Sequence, residues 1–205
     1  MNEKILKAIK ELREKSKKRN FPQTFDLVVN LRELDVKKSE NKFSEDVVLP
    51  NGRGDLARVA VFSDSIKGID CEILGSADMD RLAKNKREAK NLAKRADFLL
   101  AEPKLMPTIG KVLGQFIGPK GKLPKIITGD VKSLVENYKK SVRIRIKDAP
   151  VVQCSVGKEN MDDEKIVENI ETVLKALETK LPKGKNNFKE MFVKLTMSKP
   201  VKVEM

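Results

Sequence analysis

Val59-Ala60-Val61-Phe62 is an unbroken apolar run of strand length between Arg58 and Ser63-Asp64. A strand without polar alternation has to be covered on both faces, as happens in parallel sheets flanked by helices. Two similar runs follow, Cys71 to Leu74 and Asp97-Phe98-Leu99-Leu100-Ala101, separated by a charged, helix-prone stretch from Met79 to Ala96. Strands alternating with helices predict a parallel α/β sheet. Further on, Val131 to Tyr138 reads as a helix, and Val142, Ile144 and Ile146 alternate with Arg143, Arg145 and Lys147 as a final strand. The pattern predicts one Rossmann-like α/β unit over 58–149.

The flanks have a different texture. Ile5, Leu6, Ile9 and Leu12 share one face of a helix from Glu3 to Lys18, which Pro22 ends. Phe25, Leu27, Val29 and Leu31 alternate with polar residues as a half-buried strand. Val47 to Leu49 suggests a second strand, closed by the turn cluster Pro50-Asn51-Gly52-Arg53-Gly54. Beyond Pro150, Val151 to Val156 forms a strand ending at Gly157. Ile166, Ile170, Val173, Leu174 and Leu177 mark a long helix opened by Asp162-Asp163-Glu164, and Met191, Val193 and Leu195 mark the last strand. Neither flank carries enough apolar surface to fold alone. The expected architecture is one α+β domain built from 1–57 and 150–205, interrupted by the insertion, with a hinge where the chain crosses near Gly54 and Pro150.

Composition narrows the function. The 205 residues hold 43 Lys+Arg against 30 Asp+Glu, a net charge of +13, which favours polyanionic partners. Residues 58–149 carry 20 of the basic and 11 of the acidic groups, which points to the insertion as a polyanion contact. The chain has no histidine, and this removes His-assisted nucleophilic catalysis and the common zinc sites. Cys71 and Cys154 lie far apart without CxxC spacing and read as reduced thiols of a cytosolic protein. The charged N-terminus and the lack of a long apolar run argue against a signal peptide or membrane anchor.

Ile109 to Lys125 alternates Gly110, Gly114, Gly118 and Gly121 with Pro119, Pro124 and lysines. Gly118-Pro119-Lys120-Gly121-Lys122 reads as a fixed, exposed turn carrying positive charge, and the glycine and proline pattern is unfavourable inside a helix or strand. Ile117-Gly118-Pro119-Lys120-Gly121 imitates the GXXG clamp of KH domains, although Pro119 and Pro124 fit that clamp poorly. A nucleotide-dependent α/β enzyme is a rival, weakened because neither Gly-Lys pair here is followed by Ser or Thr. A peripheral membrane protein is another, but it would need a basic helix with a bulky apolar face.

Several separated motifs resemble those of the L-one family of large-subunit ribosomal proteins, in family order and over essentially the whole chain. They are Arg19-Asn20-Phe21, Leu49-Pro50-Asn51-Gly52-Arg53-Gly54, Leu105-Met106-Pro107 with Gly114 to Pro124, Val156-Gly157-Lys158, Ile166-Val167-Glu168-Asn169-Ile170 and Lys194-Leu195-Thr196-Met197. The short N-terminus is similar to the archaeal branch. The resemblance implies a split βαβ domain from both chain ends and an inserted Rossmann-like domain. It also implies a non-enzymatic ribosomal protein of the cytoplasm, with no cofactor or metal and no membrane contact, and monomeric when free. Its partners would be rRNA of the mobile side stalk, exit-site tRNA whose release it assists, and its own mRNA, whose translation it represses.

By the same resemblance the RNA surface falls on Phe21, Gln23, Thr24, Asp26, Gly157, Lys158, Glu190, Thr196, Met197 and Ser198. Lys120, Lys122 and Lys125 would be auxiliary RNA or tRNA contacts. Ordinary structural roles compete: Phe21 as a hydrophobic staple, Thr24 and Asp26 as solvent-face strand residues, Met197 as core. Thr196 falls on the face opposite the core, where its hydroxyl would be free for a ribose or phosphate. Two positions depart from the family pattern: Ser198 stands where a glycine is usual, and Asn51 where a histidine is common.

Overall fold

The computed structural model describes residues 1–66 and 68–204. The chain separates into two compact units, Met1–Leu56 with Lys140–Met205, and Ala57–Lys139.

In chain order the elements are α1 (Asn2–Lys15), β1 (Thr24–Leu31), β2 (Phe43–Val48), β3 (Val59–Phe62), β4 (Glu72–Leu74), α2 (Ser76–Lys84), α3 (Lys86–Arg95) and β5 (Phe98–Ala101). They continue with α4 (Met106–Ile117), β6 (Lys125–Ile126), α5 (Val131–Lys139), β7 (Ser141–Ile146), β8 (Val151–Lys158), α6 (Asp163–Lys180), β9 (Phe188–Leu195) and β10 (Val201–Val203).

The first unit holds an antiparallel sheet in the order β10-β9-β1-β8 and a separate antiparallel pair, β2-β7. Every second residue of β1 is buried, so Phe25, Leu27, Val29 and Leu31 turn to one side. There they join Ile5, Ile9 and Leu12 of α1 and Ile166, Ile170, Val173 and Leu177 of α6 in one core. Thr24, Asp26, Val28 and Asn30 occupy the opposite, only partly covered face.

The second unit is a parallel sheet in the order β4-β3-β5-β6. Its apolar strands are covered on both sides. Ala60, Phe62, Leu99 and Ala101 meet α2, α3 and α4, whereas Val59, Val61, Phe98 and Leu100 meet Val135 and Tyr138 of α5. This order places a topological switch between β3 and β5, where α/β sheets bind ligands outside the strand ends. Here Ser63 and Ser65 hydroxyls donate to the Glu102 carboxylate in that position, holding its pKa below the usual range. A carboxylate there opposes a nucleotide phosphate.

Three expectations need correction. The alternation from Val142 to Ile146 points to a strand of the insertion, but Ser141–Ile146 pairs with Phe43–Val48 and belongs to the first unit, so the insertion spans Ala57–Lys139 rather than 58–149. Its alternation signals one buried face, which the antiparallel pair supplies and a parallel central strand would not. The helix-prone stretch from Met79 to Ala96 is not continuous but falls in two helices, because the Asn85 side chain accepts from the N–H groups of Arg87 and Glu88 and starts a new helix. Finally, the glycine pattern argues against a helix, but Gly110 and Gly114 are helical. They lie inside α4, whose buried Ile109, Leu113 and Ile117 repeat every fourth residue, and only Gly118 to Gly121 turns. Burial of that stripe outweighs a glycine cost of about 1 kcal/mol each.

Candidate nucleic-acid interface

β1 and β9 run antiparallel, so the start of β1 lies beside the end of β9, and β8 ends on the other side of β1. This topology brings most of the expected site residues to one end of the sheet. Phe25 is opposite both Leu195 and Gly157, Thr24 is opposite Lys158, and Asp26 is opposite Lys194. A β-bulge between Phe25 and Asp26 on the β8 side adds local twist there.

Side chains close this end. The Thr24 N–H donates to Thr196 Oγ1 at 3.0 Å, and the Met197 N–H donates to Gln23 Oε1 at 3.1 Å. The Gln23 N–H donates to Glu159 Oε2 at 3.1 Å while its carbonyl accepts from the Glu159 N–H at 2.8 Å. The Met197 contact fixes which end of the Gln23 amide is oxygen, and leaves Nε2 buried without an acceptor among the described residues. Ser198 Oγ accepts from the Leu195 N–H at 2.9 Å, closing a hydroxyl-capped turn. Its φ is not positive, so a serine fits without strain where the family usually has glycine.

This turn lifts Met197 out of the core. Met197 is 60% exposed and Phe21 47% exposed, two large apolar side chains left at the surface on either side of the Gln23 contact. Neither the core role for Met197 nor the staple role for Phe21 agrees with that exposure. An exposed ring beside polar turn groups is suited to stacking on an unpaired base.

Other expected residues are placed differently. Gln23 and Gly157 are buried, so they shape the edge from behind. A Cβ on Gly157 would come within 3.0 Å of Ile166 Cγ1. Thr196 does not present the free hydroxyl that its strand phase suggests, since its oxygen accepts from Thr24. Lys158 Nζ pairs with Asp55 Oδ2 at 2.5 Å, and Gly54 packs on the Lys158 stem so closely, at φ +88°, that a side chain there would overlap it. Burial pushes the Asp26 carboxyl up, with Lys194 partly opposing the shift.

Glu190 stands apart. It lies opposite Asn30, five residues along β9 from Leu195, or about 17 Å at strand rise. There it pairs with Lys202 at 2.7 Å, which holds its carboxyl below the usual range. The expected auxiliary lysines belong to the second unit, where Lys122 Nζ donates to the Ala96 carbonyl at 2.5 Å and closes the end of α3. That bond gives Lys122 a structural task.

Three residues that hold this sheet end together are not among the expected site residues. Arg13 on α1 binds Asp163 Oδ1 at 2.6 Å, the carbonyls of Glu159 and Met161 at 2.6 and 2.7 Å, and lies over the Phe25 ring. Glu159 holds Gln23, as described. Asn169, fully buried on α6, donates to the Gly52 carbonyl at 2.7 Å and the Val156 carbonyl at 2.8 Å and accepts from the Asn51 N–H at 3.2 Å. It ties the Pro50–Gly54 turn to β8. The polar residue inside the otherwise apolar period of α6 was the available signal. Asn51 itself donates to Glu168 Oε2 at 2.6 Å, the contact that stands in the place of the common histidine.

The described residues contain no cluster of His, Cys, Asp or Glu able to hold a metal, and no helix long and apolar enough to cross a membrane. The fold and this edge define a basic two-unit α/β protein with two large apolar side chains, Phe21 and Met197, exposed at one end of its antiparallel sheet. Sequence comparison gives the family. The model of the ribosomal protein L1p/L10e family matches residues 12–199, and the chain belongs to that family. It is 42% identical over 210 residues to the large ribosomal subunit protein uL1 of Pyrococcus horikoshii, covering 98% of this chain and 96% of that protein. The Methanocaldococcus jannaschii uL1 is 43% identical over 209 residues, covering 98% and 95% respectively, and the Methanobrevibacter smithii uL1 is 41% identical over 211 residues, covering 99% and 100%. These relatives are ribosomal proteins, not enzymes.

Proposed function

We propose that this chain is a constituent of the large ribosomal subunit in the cytoplasm, and that it binds rRNA through the sheet end formed by Phe21, Thr24, Lys158, Thr196, Met197 and Ser198. The observation that carries this reading is the identity of about 42% over nearly the full length of proteins named large ribosomal subunit protein uL1. The exposed Phe21 just before β1, and the exposed Met197 on a turn bonded to Gln23, add a physical reason to place the contact there. In this reading the unit containing both chain ends is the split βαβ recognition domain, and Ala57–Lys139 is the Rossmann-like insertion.

The finer assignment follows the family resemblance. The RNA is the mobile side stalk beside the tRNA exit site, stalk movement assists release of deacylated tRNA, and the free monomer represses its own message by binding a similar RNA structure. Asp26 would accept from a 2′-OH or base amino group, a use that fits a carboxyl held partly out of water. The test is binding of the full chain to a stalk rRNA fragment and to an unrelated RNA of equal length. Preference for the stalk fragment, lost in Met197→Ala, is expected. Equal affinity for both RNAs would overturn the reading. Repression is tested separately by adding the protein to in vitro translation of its own message and of a control message.

A further inference from the structure

With β7 assigned to the first unit, that unit holds 27 basic and 20 acidic residues and the second 16 and 10, so the positive excess no longer sits mainly on the insertion. Part of it is gathered in one place. A groove of about 680 Å³ runs between the end of α1 and the segment leading into β10, and it opens onto Met197 and Ser198. Lys15, Lys17, Arg19, Lys199 and Lys202 line it, against a single carboxylate, Glu11, which Lys15 already pairs at 2.5 Å. Lys202 is paired with Glu190. Lys17, Arg19 and Lys199 have no ion-pair partner among the described residues. The final carbonyls of α1 contribute a weak negative field, which nearby lysines offset.

We propose that this groove is a phosphate track: it takes the sugar–phosphate backbone of an RNA strand leaving the Phe21–Met197 edge. The inference rests on the RNA reading above and extends it to a surface in which only Met197 and Ser198 are residues that the resemblance assigns to the RNA site. Pro200 and Val201 in the wall supply apolar contact for ribose, and the three unpaired cations supply the neutralising charge. Phosphate contacts position the nucleic acid and carry no sequence information, so the groove strengthens binding to any RNA, and the turn edge provides the preference.

The experiment uses the full chain. Binding to the stalk rRNA fragment and to an unrelated RNA is titrated over a range of potassium chloride for the wild type and for Lys17→Gln/Arg19→Gln/Lys199→Gln. The control, Lys84→Gln/Lys86→Gln/Lys90→Gln, removes the same charge from exposed positions of the second unit. The groove variant should lower the slope of log K against log salt by about 2, at roughly 0.7 per single-strand phosphate contact, and weaken both RNAs by the same factor. A slope that falls no further than in the control overturns the track. If the triple variant melts early, Lys17→Gln and Lys199→Gln are read singly, each expected to lower the slope by about 0.7. A wild type that does not prefer stalk RNA overturns the underlying reading of the edge, while the slope comparison still decides the groove.

Discussion

The Thr196 hydroxyl closes the open end of the β1–β9 ladder by accepting the Thr24 N–H at 3.0 Å. The same oxygen therefore serves the fold and borders the proposed RNA surface. Thr196→Val keeps the shape but removes the acceptor, and should cost about 0.5–1.5 kcal/mol in urea denaturation. Thr196→Ser should recover most of that loss. RNA binding by the folded fraction of Thr196→Val should also weaken, because the Met197 turn follows directly. Unchanged stability in the valine variant would show that the bond is not made in solution.

Gly110 and Gly114 lie in a helix, and a Cβ on either would meet no atom within 4 Å outside the helix backbone. Gly110→Ala and Gly114→Ala should each stabilise the protein by about 0.5–1 kcal/mol, by raising helix propensity and restricting the unfolded chain. Urea midpoints measure this. A loss on either substitution would mean that another partner covers that helix face.

Asn169→Leu should destabilise the fold by about 2–3 kcal/mol, since it strands the Gly52 and Val156 carbonyls and the Asn51 N–H together. Asp26 should respond in the opposite direction. Its folded pKa is raised, chiefly by burial, so its ionised form disfavours the fold. The stability linked to its protonated form is present below the unfolded pKa, near 3.9, and is lost as pH rises through the folded value. Asp26→Asn should therefore raise the melting temperature at neutral pH, and the gain should vanish in acid. A gain that persists in acid would contradict this.

The two thiols should separate cleanly. Cys154 is buried on β8, and burial pushes its thiol up to about 12. Cys71 is partly exposed, with its thiol also raised by burial but less covered. An aromatic disulfide reagent should release one thiolate from the native protein and the second only on unfolding. Two fast thiols would mean that the β1–β8 core opens readily.

Much of the architecture was legible because its signals are local. Val59–Phe62 and Phe98–Ala101 announce buried strands by lacking alternation, and helices cover both faces of each. The alternation of β1 and the stripe of α6 are equally direct. What escaped depends on partners far along the chain. β7 has the same local pattern in either unit, and only pairing with Phe43–Val48 decides between them. β10 is three residues long, and α4 overrides two glycines by burying Ile109, Leu113 and Ile117. At the site, motifs supplied the residues but not their roles. Gln23 and Thr196 read as surface polar groups, and only the register of β9 against β1 shows them fastening the turn that exposes Met197.

The central claim is that the sheet end around Met197 touches a specific rRNA. Ultraviolet cross-linking of the protein reconstituted with large-subunit rRNA, followed by mapping of both the peptide and the nucleotide, tests it most directly. Cross-links from peptides containing Phe21 and Met197 to one stalk locus are the expected result. Cross-links confined to the Lys120–Lys125 region, or spread over the rRNA without a preferred locus, would contradict it.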